Sequence, residues 1–144
     1  MSSSGPQRQL TQRSGPDLWG RLVFEATRLP HVREGVSSVS PPDSRALLVV
    51  DRDAPAVPEA TLAPGAPVEP AHLHGVHDTS VHLVLPRLRA EQVCADGWAI
   101  PHQYGDFGTE VLVYGPRDDE ELGVVLGLIK ESIRFARGDA ADLA

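Results

Sequence analysis

AHLHGVHDTSVHLVLP, residues 71–86, decides how this chain folds. Four of the six histidines of the chain, His72, His74, His77 and His82, fall inside it, interleaved with aliphatic residues. Side chains alternate along a strand, so His72 and His74 point to one face and Leu73 to the other. In the second half Ser80, His82 and Val84 share a face, and Val81, Leu83 and Leu85 share the opposite one. A hairpin that closes with His74 opposite Ser80 sets His72 opposite His82 and brings three imidazoles to one side. Directly opposed Cβ atoms lie about 4.5–5.5 Å apart. A slip of one residue would send His82 to the other side. The aliphatic face is the core-facing one, and His77 belongs to the turn.

The flanking segments extend this hairpin into a sheet. Residues 32–40 and 45–52 read as strands joined by PPDS, whose prolines and Asp suit a turn. Residues 109–114, TEVLVY, give a last strand. Helices are expected over 16–29, with Pro16 in the first turn and Leu18, Trp19, Leu22, Val23, Ala26 and Leu29 on one face, and in LPRLRAEQVCADG, which Gly97 ends. A third begins at DDEEL, places Leu122, Val125, Leu126, Ile129, Ile133 and Ala136 at helical spacing, and stops at Gly138. GWAIPHQYGDFG, residues 97–108, reads as a loop. The order predicts an α+β fold, an antiparallel sheet of four to five strands with helices packed on one face.

At 144 residues the chain suits a single domain over 16–138, with disordered tails at 1–15 and 139–144. Five prolines make 53–70 a loop, either a lid over the histidine face or a mobile insertion. Thirteen basic against twenty acidic residues give a net charge of −7, with no basic run, which disfavours nucleic acid as a partner. One cysteine, Cys94, excludes an intrachain disulfide framework; it reads as a buried, inert thiol. Neither a signal peptide nor a membrane span is visible, so a cytoplasmic protein that avoids membranes is expected. The expected partner is a small-molecule ligand, with self-association into a homodimer as a further candidate.

The chemistry centres on His72, His74 and His82. Three neutral imidazoles suit Zn or another divalent transition metal, alone or with a carboxylate from Glu69, Asp78 or Asp106. Without a metal they suit acid/base catalysis near neutral pH. The plainer alternative is the wet side of an ordinary hairpin. His102 follows a turn and can return over the same face, while Tyr114 and Arg117 can reach its rim or serve packing and solvation. No dinucleotide, P-loop or nucleophile-elbow motif occurs. The leading expectation is a small-molecule enzyme or binder that uses this His-lined cleft; the competing class is a non-catalytic protein-interaction module with an acidic surface.

SVHLVLP (80–86), GWAIPH (97–102) and VYGPRDDEEL (113–122), followed by ESIRFA (131–136), resemble the luciferase-like domain family of small bacterial and fungal proteins. The likeness covers about half the chain and departs from the family at Gln103, where Pro is common, and at Ile133, where an aromatic residue is usual. It implies that His82, His102, Tyr114 and Arg117 stand on motif positions and are the catalytic candidates. It implies no flavin chemistry, since flavin-dependent bacterial luciferases are TIM barrels of about twice this length or more. The order of elements is also loosely similar to the YjbR-like fold.

Overall fold

The structure, a computed structural model, describes residues 14–37, 39, 43–50, 58–63, 67–75, 78–101 and 108–138. Helix α1 (Pro16–Ala26) is followed by strands β1 (Val32–Gly35) and β2 (Arg45–Val49), a 3-10 turn (Pro58–Ala60), and strands β3 (Ala71–Leu73) and β4 (Val81–Val84). Then come helix α2 (Arg87–Ala95), strands β5 (Ala99–Pro101) and β6 (Glu110–Val113), and helix α3 (Asp119–Arg137).

All neighbouring strands are antiparallel, in the order β1-β2-β3-β4-β6-β5. The α+β class stands, but among the described residues the sheet has six strands rather than four or five. The extra one is β5, in the run read as a loop. It is three residues long, lies at the sheet edge and ends in Pro101, a place where the missing N–H costs the ladder nothing. The first strand is also shorter than expected, ending at Gly35.

Alternation sorts the sheet into two faces. Leu47, Leu73, Val81, Leu83, Val111 and Val113 point into one core with Trp19 and Leu22 of α1, Val93 of α2, and Val125 and Ile129 of α3. Pro16 at the first turn of α1 gives up only an N–H that has no intrahelical acceptor, and Trp19, Leu22 and Ala26 form its buried stripe. In α3 the Asp118 side chain caps the Glu121 N–H at 2.8 Å, and Gly138 closes the helix in the left-handed region at φ 87°. Leu128 is buried where Leu126 was expected; Leu126 is half-buried. Burying one such leucine contributes about 1.5–3 kcal/mol.

The proline-rich stretch is tied down wherever it is described. Leu62 N–H donates to Glu69 O at 2.8 Å, Thr109 Oγ1 to Glu59 O at 2.8 Å, and Val49 N–H to Val68 O at 2.9 Å. Ser132 Oγ of α3 donates to Pro70 O at 3.0 Å. Residues 67–70 thus lead rigidly into β3. That rigidity carries Glu69 into the histidine site.

Candidate metal centre

His72 pairs with His82 across β3 and β4, and His74 N–H donates to Ser80 O at 3.0 Å just beyond the strand end. This is the register expected from the hairpin, and it puts His72, His74 and His82 on the face away from the helices. Ring centroids of His72 lie 5.0 Å from those of both His74 and His82. One ring nitrogen from each of the three lies within 4.8 Å of the others. Nitrogens bound to one tetrahedral zinc at about 2.0–2.1 Å lie roughly 3.4 Å apart, so small rotamer adjustments close the set on an ion. The three residues can hold a metal.

Their orientation is set from behind. His72, 2% exposed, has Nδ1 2.8 Å from Glu69 Oε2, which also accepts from Ser37 Oγ at 2.8 Å. A carboxylate accepts, so His72 Nδ1 donates to it, and in the neutral ring Nε2 is the nitrogen left with a lone pair for a ligand. His74 follows the same logic by a different route. Ser80 Oγ donates to Asp78 Oδ1 at 2.8 Å, which spends its only hydrogen, so it accepts from His74 Nδ1 at 2.7 Å. His74 Nε2 is therefore its ligand-capable nitrogen too. Carboxylate–histidine arrangements of this kind fix tautomer and ring direction in metal sites. Glu69 and Asp78, expected among the ligands, stand behind the imidazoles instead; Asp106 lies outside the described residues.

Burial and the neighbouring His72 hold the pKa of His74 below its ordinary value of 6.5, against the opposing pull of Asp78 and Asp43. A neutral imidazole at neutral pH is the form a metal needs. On the opposite side Glu110 Oε1 lies 3.5 Å from His82 Nε2. Glu110 was not anticipated: it reaches His82 diagonally, because β6 pairs with β4 through His82↔Leu112. Nothing in the sequence announces that pairing, since α2 and β5 intervene.

Continuing the β4–β6 register by one residue sets buried Tyr114 opposite Ser80, on the histidine face. Arg117 is exposed and its guanidinium is held by Glu121, with Nη2 2.6 Å from Oε2; no described contact joins it to the imidazoles. His102 and His77 lie outside the described residues. Cys94 is half-buried, and burial raises its thiol pKa, which suits an inert side chain.

His74 and Gly75 also line the end of an open groove of about 900 Å³ between α1 and the β1–β2 edge, whose walls include Trp19, Val23, Phe24 and Arg45. Trp19 Nε1 donates to His74 O at 3.2 Å, fixing the groove against the hairpin. Among the described residues no helix is long and apolar enough to cross a membrane.

Residues 68–132 match the family described as Luciferase domain. The chain is 38% identical to a protein named luciferase from Armillaria ostoyae over 79 residues, which cover 51% of this chain and 30% of that protein. Luciferases from Armillaria mellea and Neonothopanus nambi are 37% and 34% identical over the same length. The chain thus spans about 30% of the length of these curated relatives. No solved structure matches it. His72, His74 and His82, together with Glu69, Asp78, Ser80 and Glu110, all fall inside the matched segment. Residues 68–132 are therefore similar to a luciferase domain, and the three histidines on strands β3 and β4 and at the turn between them lie within that segment.

Proposed function

We propose that this domain acts on, or binds, a small molecule at the His72–His74–His82 face through a bound divalent transition metal, Zn being the simplest candidate. The observation that carries this reading is the convergence of three ring nitrogens within 4.8 Å, two of the rings being oriented by buried partners, Glu69 and Ser80. Three neutral imidazoles leave a fourth position for water or a ligand oxygen, where a metal polarises a carbonyl or lowers the pKa of water. Glu110, beside His82, is placed to supply a further oxygen ligand or to hold a proton. Tyr114 and His82 act at the site in this reading. Arg117 and His102, which share the motif positions, are candidates for contacts with the bound molecule. The relatives named luciferase favour an enzyme over an interaction module.

Titration of untagged protein with Zn(II) or Co(II) tests this. One equivalent should bind, Co(II) should give the visible bands of a nitrogen-ligated site, and His72→Asn or His82→Asn should abolish both. Sub-stoichiometric binding that ignores these substitutions would overturn the metal reading. Retained activity in the same variants would exclude the imidazoles from the chemistry.

A further inference from the structure

A second cavity, of about 420 Å³, lies between the turn after α1 and the last turns of α3. It is lined by Leu29, Pro30, His31, Lys130, Ile133, Arg134 and Arg137. Lys130 and Arg134 stand at i, i+4 spacing, a pair of like charges that costs the helix stability unless an anion offsets it, and Arg137 lies one turn further on. Among the described residues no carboxylate lines the cavity.

Two details go beyond a solvated basic face. Arg134 Nε is shielded from solvent and has no acceptor among the described residues, an arrangement that costs stability unless something else receives its hydrogen. His31, on the opposite wall, sits at φ 75°, a left-handed conformation that non-glycine residues rarely adopt outside functional or tightly constrained positions. Favourable interaction of cations with the C-terminal end of the α3 dipole accounts for basic residues in the last turn. It accounts neither for the cavity, nor for Lys130 a turn earlier, nor for the buried Nε. Of the lining residues only Lys130 falls inside the matched segment 68–132.

The geometry points to a binding site for a phosphate group carried by a small soluble molecule. The Arg134 guanidinium presents paired N–H donors that match phosphate oxygens, Lys130 adds a point charge, and Leu29 and Ile133 give the remainder of the ligand an apolar wall. In a chain of net charge −7, this local reversal of sign would attract the anion.

Calorimetric titration of the full chain with inorganic phosphate at low ionic strength is the test, with thermal melting to confirm that each variant is folded. Saturable binding is expected, weakened about tenfold or more in Arg134→Gln and in Lys130→Gln, and unchanged in His72→Asn, so that it stands or falls separately from the metal site. Lys130 is exposed, so its variant keeps the test valid if Arg134→Gln does not fold. No saturation, or saturation indifferent to both substitutions, would overturn the proposal. So would binding to vesicles containing phosphatidic acid without binding to soluble phosphate, which would make the cavity a lipid headgroup site.

Discussion

His72 and His82 stand directly opposite each other on β3 and β4, their rings 5.0 Å apart and nearly perpendicular at 87°. This edge-on arrangement aims the ring nitrogens toward common space, whereas stacked rings would bury their faces against each other. Register controls it. The hydrophobic residues Leu73, Val81 and Leu83 on the other face must all enter the core, so a one-residue slip would expose them while it dispersed the imidazoles.

Glu69→Gln should weaken metal binding about 10–100-fold, the usual effect of losing a partner behind a ligating histidine. An amide can present its NH2 to His72 Nδ1 and so favour the wrong tautomer. Glu69→Ala leaves Ser37 and His72 without their buried acceptor and should cost about 1–3 kcal/mol of stability. Metal titration and urea denaturation of the two variants separate orientation from stability.

His74 predicts the pH dependence of folding. Its folded-state pKa is lowered, so below 6.5 the unfolded chain takes up a proton that the folded chain still refuses. Stability should therefore rise with pH through the window that ends near 6.5, and fall as pH drops through it. Urea midpoints measured from about pH 8 to about pH 5 should show the decline, and His74→Gln should flatten it. An unchanged slope in that variant would assign the effect to another group.

Gly115→Ala should destabilise the protein by about 1–3 kcal/mol, as overpacking does. A Cβ here runs into the carbonyl oxygen and Oγ1 of Thr79, and backbone cannot swing aside as a long side chain can. The same Thr79 Oγ1 accepts Ser14 N–H at 2.9 Å, and Ser14 Oγ donates to Pro116 O. The Tyr114–Gly115–Pro116 run is thus wedged against Thr79 and Ser80 at the end of the hairpin. Its glycine serves close approach, so thermal melting should report the loss before any change in metal affinity.

Arg117→Ala should change stability by less than about 1 kcal/mol, since an exposed pair with Glu121 is weak in water. Metal affinity should stay the same. A variant that binds metal normally but loses activity would place Arg117 against the bound molecule; one that is active would limit it to the start of α3.

The hairpin and the imidazole face were legible because alternation is a property of the backbone, and because the apolar partners of the histidines leave one workable register. Helices α1, α2 and α3 were legible from spacing and caps. Strand β5 was not, because three residues ending in proline resemble a turn until β6 is seen to pair with them. Glu110 was hidden for a related reason: its place beside His82 depends on strands separated by α2 and β5. Ser80 was read as sharing the face of His82 and as standing opposite His74. Its role in fixing His74 needed the direction of two hydrogen bonds, which no sequence pattern encodes.

That role gives the sharpest test of the site. Ser80 is fully buried and links Asp78 to His74 with bonds of 2.8 and 2.7 Å. Ser80→Ala removes the acceptor of His74 Nδ1 while it leaves all three imidazoles in place, and should cost about 1–3 kcal/mol. If the three histidines hold a metal, affinity should also fall, because His74 is released to rotate and to exchange tautomers. If they serve only as the polar side of the hairpin, stability alone should suffer. Comparing Co(II) affinity with the urea midpoint in this one variant therefore distinguishes a metal centre from a merely buried cluster, without deleting a ligand.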